Sequence, residues 1–241
     1  MCKFANKKLN HLDFKLDYIC INDHMKIRAI ITGASGMVGE GVLHECLQSN
    51  DVEEVLVIGR RSCDYTHLKL QEIVHKNLYD LSSIEEQLKG YNACYFCLGM
   101  SSVGVKEAEF AKVTYDMTMH FATTLSKLNP DMTFCYVSGS GTNENGKLMW
   151  QRVKGKTESD LTELPFKQVF NFRPGIMKPT KGLKNTLPLY KWMGWLMWII
   201  KTISPKSVLT LKQVGDAMIN VTLKGYEKNI LEIKDISTLS K

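Results

Sequence analysis

Three glycines spaced three apart, Gly33, Gly36 and Gly39, lie in the run Thr32-Gly-Ala-Ser-Gly-Met-Val-Gly39. An apolar stretch (Ile27, Ala29, Ile30, Ile31) leads straight into them, and a helical pattern (Val38, Val42, Leu43, Cys46, Leu47) follows at once. The chemistry this arrangement serves is the binding of a diphosphate. Glycine at a strand end permits a tight turn. A second glycine lets backbone approach the diphosphate, and a third lets helix and strand pack closely. The N–H groups that open the helix face the anion with the helix dipole behind them. Ser35, Met37 and Val38 belong to the same turn and are counted with the glycines as its binding residues. A second apolar run, Glu54–Ile58, completes a strand-helix-strand unit of the length such a site needs. The competing reading is a tight turn that binds nothing.

Arg60 and Arg61 follow that second run. A carboxylate here would hold a ribose 2′-hydroxyl, whereas a guanidinium suits a 2′-phosphate through bidentate charge-assisted bonds. No carboxylate occurs before Asp64. The expectation is therefore NADP(H) in preference to NAD(H), against two solvated arginines in a surface loop.

The elements that must carry these residues alternate. Strands are expected at Lys26–Thr32, Glu54–Ile58, Glu72–Lys76, Ala93–Leu98, Thr133–Val137 and Gln168–Phe172. Helices are expected over about Met37–Gln48, Ser83–Leu88, Glu107–Leu128 and Met149–Leu164. This predicts an α/β, doubly wound parallel sheet of the Rossmann type, with ligands beyond the carboxyl ends of the strands. Gly33, Arg60, Asp80, Gly99, Ser138 and Pro174 all fall at such ends, and with Leu81, Leu98 and Gly175 beside them one cleft can collect the set. A last helix, about Leu211–Leu223, and a short strand, Ile230–Ile233, close the chain.

Composition bounds the rest. A chain of 241 residues with 44% hydrophobic and 23% charged residues suits a single globular domain with a small lobe. The division expected is an extension over residues 1–24, poorly ordered, a dinucleotide-binding core over 25–175, and a C-terminal helical substrate or interface lobe over 176–241. The net charge of +6 is concentrated in residues 178–241, where eleven lysines face only Asp216, Glu227, Glu232 and Asp235. With no arginine after Arg173 and no recognisable nucleic-acid motif, a solvated lysine face is preferred to nucleic-acid binding. An odd count of seven cysteines without a secretory signal suits a reducing cytoplasm. Cys94-x-x-Cys97 lies in a strand pattern, where residues three apart point to opposite faces, so core thiols are expected rather than a metal or redox pair. The six histidines show no metal-ligand spacing, and no metal site is expected.

Residues 190–203 stand out by the run Trp192-Met-Gly-Trp-Leu-Met-Trp-Ile-Ile200 between Lys191 and Lys201. Nine uncharged residues fall short of the about 20 needed to span a bilayer. The expectations are a helix that roofs a substrate pocket or enters a homodimer interface and, as the alternative, an interfacial membrane helix.

Taken together, Thr32–Gly39, Ile58-Gly-Arg-Arg61, Cys97-Leu-Gly99, Val137-Ser138, Val153-Lys154-Gly155 and Phe172-Arg-Pro-Gly175 resemble the short-chain dehydrogenase/reductase superfamily in its extended or atypical branch. Within it the chain is similar to the Tat-interacting-protein type of NADPH-binding oxidoreductase and to bacterial epimerase/dehydratase proteins, over residues 26 to about 235. The resemblance implies a serine after the fifth strand, here Ser138 or Ser140, and a lysine, here Lys154, that binds ribose and lowers the pKa of a tyrosine four residues earlier. That tyrosine position holds Trp150. An indole N–H donates a hydrogen bond but delivers no proton near neutral pH. Tyr136, Tyr115 or a water held by Ser138 would then supply the proton, or the cofactor is held without turnover. Three functions follow: an NADP(H)-dependent oxidoreductase or epimerase acting on a small carbonyl or sugar-like substrate, a non-catalytic NADP(H)-binding sensor or scaffold, and a peripheral membrane protein acting on a lipid-linked substrate.

Overall fold

A computed structural model describes residues 25–180, 182–185 and 208–241. The expectations for residues 1–24 and for the tryptophan-rich stretch 190–203 fall outside these residues. Seven strands form one parallel sheet: β1 (Ile27–Thr32), β2 (Val52–Gly59), β3 (Leu70–Val74), β4 (Ala93–Phe96), β5 (Thr133–Val137), β6 (Gln168–Arg173) and β9 (Ile230–Glu232), in the order β3-β2-β1-β4-β5-β6-β9. The order reverses between β1 and β4, and such a switch point opens a crevice at the carboxyl ends of the strands.

A sheet covered on both faces reads as continuous apolar runs rather than alternation. All four residues of β4, Ala-Cys-Tyr-Phe, are buried, as are five of the six in β1. Tyr95 turns to one face, where its hydroxyl meets Thr222 Oγ1 at 3.1 Å in the core under α1 (Met37–Gln48) and α5 (Leu211–Lys224). Phe96 turns to the other face and packs on Phe121 and Phe134. Cys94 and Cys97 likewise belong to opposite faces, as the strand reading requires. The five described cysteines are free.

The second face is covered by a 3-10 turn (Ser82–Leu88), by a π-helical segment (Lys112–Asp116) that follows the short α2 (Glu107–Ala111) and continues into α3 (Met117–Leu128), and by α4 (Met149–Thr162). The uninterrupted helix expected over 107–128 is thus broken in its hydrogen-bond pattern. The widened turn carries Tyr115, whose hydroxyl donates to Asp160 on α4 at 2.5 Å.

Several strand bounds move. β3 starts two residues earlier than expected, and β4 stops at Phe96, which leaves Cys97 and Leu98 beyond the strand. β9 ends at Glu232, because Asp235 accepts the Glu232 N–H and opens an unexpected helix, α6 (Ile233–Leu239). A two-stranded parallel sheet of β7 (Ile176–Lys178) and β8 (Val208–Thr210) was not expected either; three-residue strands are too short to show a period. Residues 208–241 join the main layers, since β9 extends the sheet beside β6 and α5 packs on α1. Among the described residues no helix is long and apolar enough to cross a membrane.

Candidate functional site

The turn after β1 is built by its glycines. Gly33 has φ of 72°, and a Cβ there would stand 2.8 Å from the Cys97 carbonyl carbon, so the left-handed conformation and the approach of the backbone just after β4 both exclude a side chain. A Cβ on Gly39 would strike the Gly33 carbonyl oxygen, which fixes how closely α1 passes the strand end. The Gly36 N–H donates to Gly33 O at 2.9 Å and closes the turn. Gly36 is also the N-cap of α1 and offers no capping side chain, so the first-turn N–H groups are left for an anion.

The cleft over this turn is lined by Gly33, Ala34, Ser35 and Gly36, by Val57 and Gly59 of β2 with Arg60 and Arg61 just after it, and by Cys97, Leu98 and Gly99 beyond β4. The Leu98 N–H donates to Thr32 Oγ1 at 3.3 Å and ties the last of these to β1. The structure therefore brings together the glycine turn, both arginines and the Leu98-Gly99 corner, and adds Ala34, Val57, Gly59 and Cys97. Met37 and Val38 stand in the first turn of α1 and do not line the cleft; Val38 packs against the core.

Asp80 and Leu81 are not among the lining residues. The Asp80 carboxylate accepts from the Ser82 N–H at 3.0 Å and the Ser82 hydroxyl at 2.7 Å, bonds that hold it below the usual carboxylate range. It caps the 3-10 turn, while Leu81 is buried in the core beneath.

Beyond β5 a second group gathers around Gly139. Leu148 N–H donates to Gln151 Oε1 and Gln151 Nε2 donates to Gly141 O at 2.9 Å, which lays the start of α4 against the Ser138–Gly141 loop. Trp150 and Lys154, one turn apart on α4, both close on that loop: Trp150 Cζ3 lies 3.9 Å and Lys154 Cδ 4.0 Å from where a Gly139 Cβ would be. The Lys154 ammonium donates to Val137 O at 3.3 Å and lies 5.4 Å over the Tyr136 ring. Burial lowers its pKa to about 8, with Glu158 pulling the other way.

Ser138 is buried, and its Oγ stands 3.1 Å from Thr142 Oγ1. Thr142 commits its own proton to Gly139 O at 2.7 Å, so Ser138 is the donor of the pair and presents only lone pairs elsewhere. Ser140 is exposed and lies beside Gly175, whose φ is 61°, while Pro174 is buried. Neither tyrosine considered as a substitute acid is free for the task. Tyr136 is fully buried and its pKa is driven up by burial; Tyr115 is raised by its bond to Asp160. Behind α4, Arg173 pairs with the buried Glu158 at 2.5 Å and with Glu232 at 3.0 Å.

Residues 29–166 match the family model described as the NAD dependent epimerase/dehydratase family. Curated relatives include Protein FMP52, mitochondrial, of Candida glabrata, 30% identical over 155 residues covering 63% of this chain and 64% of that protein. Protein HTATIP2 of Rattus norvegicus is 28% identical over 150 residues, 61% of either chain. Among solved structures, the Helicobacter pylori ADP-L-glycero-D-manno-heptose-6-epimerase superposes with a TM-score of 0.64 at 14% identity, covering 90% of this chain and 82% of that one. The Bordetella bronchiseptica enzyme WbmF in complex with NAD+ gives 0.62 at 12% identity over 90% and 77%. At these identities the two structures show a shared fold.

Proposed function

Because the chain belongs to the NAD dependent epimerase/dehydratase family, we propose that the glycine turn seats the diphosphate of a nicotinamide dinucleotide, NADP(H) in preference to NAD(H), in an oxidoreductase or epimerase acting on a small carbonyl or sugar-like substrate. The observation that carries this reading is the single cleft shared by Gly33, Gly36, Arg60 and Arg61. Uncapped N–H groups meet the diphosphate, and two guanidinium groups, with no carboxylate among the described residues lining that cleft, suit a 2′-phosphate. When bound, the cofactor supplies hydride exchange with the substrate carbon.

The chain's own part lies around Gly139. Lys154 holds an ammonium against the Val137 carbonyl for a ribose, and a pKa of about 8 lets it exchange a proton near neutral pH. Ser138 orients a substrate oxygen once its hydroxyl leaves Thr142. Trp150 walls the pocket where the resemblance places the tyrosine. The test is calorimetry with NADPH and NADH, followed by a carbonyl screen read at the nicotinamide absorbance. NADPH binding tighter than NADH, with turnover, is expected; NADH binding as tightly removes the assignment to Arg60 and Arg61.

One observation favours a second reading, an NADP(H)-binding sensor or scaffold without turnover. Trp150 carries no acidic proton, Tyr115 is bonded to Asp160, and Tyr136 is fully buried. NADPH binding with nothing reduced in the screen selects it. A cytoplasmic location belongs to the same proposal and rests on the five free thiols. The FMP52 relatives carry "mitochondrial" in their names, and cell fractionation decides between the two compartments.

A further inference from the structure

The cleft does not end at Arg61. Through Ser35 and Arg61 it continues into a second hollow lined also by Ser62, Asp64, Lys184 and Asn185. The last two lie 144 and 145 residues beyond Glu40 of α1, whose buried carboxylate holds them there. Glu40 Oε1 accepts the Lys184 N–H at 2.7 Å and the Tyr65 hydroxyl at 2.7 Å, while Oε2 accepts the Asn185 N–H at 2.7 Å. The Lys184 ammonium lies 5.0 Å over the Tyr65 ring and donates to Asp64 O at 2.9 Å. An ammonium has three protons, so two remain for a ligand. The opposite wall is fixed as well: Glu72 accepts the Ser62 hydroxyl at 2.7 Å and the Cys63 N–H at 2.6 Å.

The two cations and the Ser35 hydroxyl around one hollow, against Asp64 as the one carboxylate among the described lining residues, suit a phosphate monoester rather than a neutral ribose hydroxyl, while the Ser62 proton is already given to Glu72. We infer that Lys184 is a specificity-determining residue that joins Arg61 on the cofactor's 2′-phosphate, and that Glu40 is the positioning residue that pins residues 182–185 over the hollow. This rests on the NADP(H) reading above. Glu40 reaches the ligand only through that strap and so sets selectivity without touching it.

The experiment compares wild type, Lys184→Ala, Lys184→Arg and Glu40→Gln in equilibrium binding of NADPH, NADH, adenosine 2′,5′-bisphosphate and AMP, with a melting curve for each variant. Lys184→Ala is expected to weaken NADPH and the bisphosphate about tenfold, the worth of one charge-assisted contact, and to leave NADH and AMP within about twofold. Lys184→Arg restores most of the loss. Glu40→Gln, which sets an amide N–H against a backbone N–H, gives the same selective loss while the protein stays folded. Preference for NADPH in wild type that Lys184→Ala leaves unchanged overturns this inference alone. Absence of that preference in wild type overturns the NADP(H) reading and this inference with it.

Discussion

Trp150 and Lys154 converge on one glycine: the indole edge and the lysine stem each come within 4.0 Å of the space a Gly139 side chain would fill. The lysine stands where the proposed reaction asks for an ammonium, yet its neighbour one turn back carries no side chain that gives up a proton near neutral pH.

Trp150→Tyr therefore restores an acid beside a lysine whose charge favours its ionisation. Reduction of small aldehydes by NADPH is expected to rise by about a hundredfold, the lower end of a general-acid contribution. NADPH affinity should change little. Stopped-flow absorbance at the nicotinamide band checks it, and an unchanged rate removes Trp150 from the active site.

Lys154 gives the wild type its pH signature. Burial depresses its pKa to about 8, so the ammonium is present below that pH and lost above it. Carbonyl reduction that draws on this proton falls as pH rises through about 8, and Lys154→Met abolishes the inflection. The stability sign is opposite to that of a lysine held by a salt bridge. The unfolded chain keeps the proton to about 10.5 while the folded one gives it up near 8, so unfolding free energy rises with pH across that interval. Denaturant midpoints of wild type and Lys154→Met, measured from pH 7 to 10, should converge as pH rises.

The glycines separate by role. Gly33→Val places a side chain at φ of 72° against the Cys97 backbone and is expected to cost more than about 3 kcal/mol, enough to abolish expression of folded protein. Gly36 is exposed with an ordinary φ, and its Cβ would find Gly33 O at 3.3 Å, so Gly36→Val folds but blocks the diphosphate. A normal melting curve with no NADPH binding is the result to look for.

Behind α4, Glu158→Gln leaves the Arg173 guanidinium with only Glu232 at the exposed end. Removing one partner of a buried pair costs about 3 kcal/mol or more. Urea denaturation reads this directly, and a change under about 1 kcal/mol would mean that water already screens the pair.

The parts of the site legible in the sequence are those where residue type answers a local demand. Gly33 must take a left-handed φ, Gly39 must let a carbonyl pass, and Arg60 and Arg61 follow a strand into the same cleft. Long-range partnerships left no such mark. Glu40 meets Lys184 at a separation of 144 residues, and neither residue type signals the other. The claim of Thr142 on Ser138 and the π-helical turn that carries Tyr115 also lack a local pattern. Asp80 shows a local partnership that the strand-end pattern does not announce: the serine two positions on offers its carboxylate an N–H and a hydroxyl.

The pairing of β6 with β9 has a consequence for biosynthesis. Arg173 on β6 waits 59 residues for Glu232 on β9 to leave the ribosome. Until then β6 presents a bare row of N–H and C=O groups beside an apolar interior, the kind of edge that recruits neighbouring nascent chains. Premature termination before Ile230 would thus convert a nearly complete molecule into an aggregation seed.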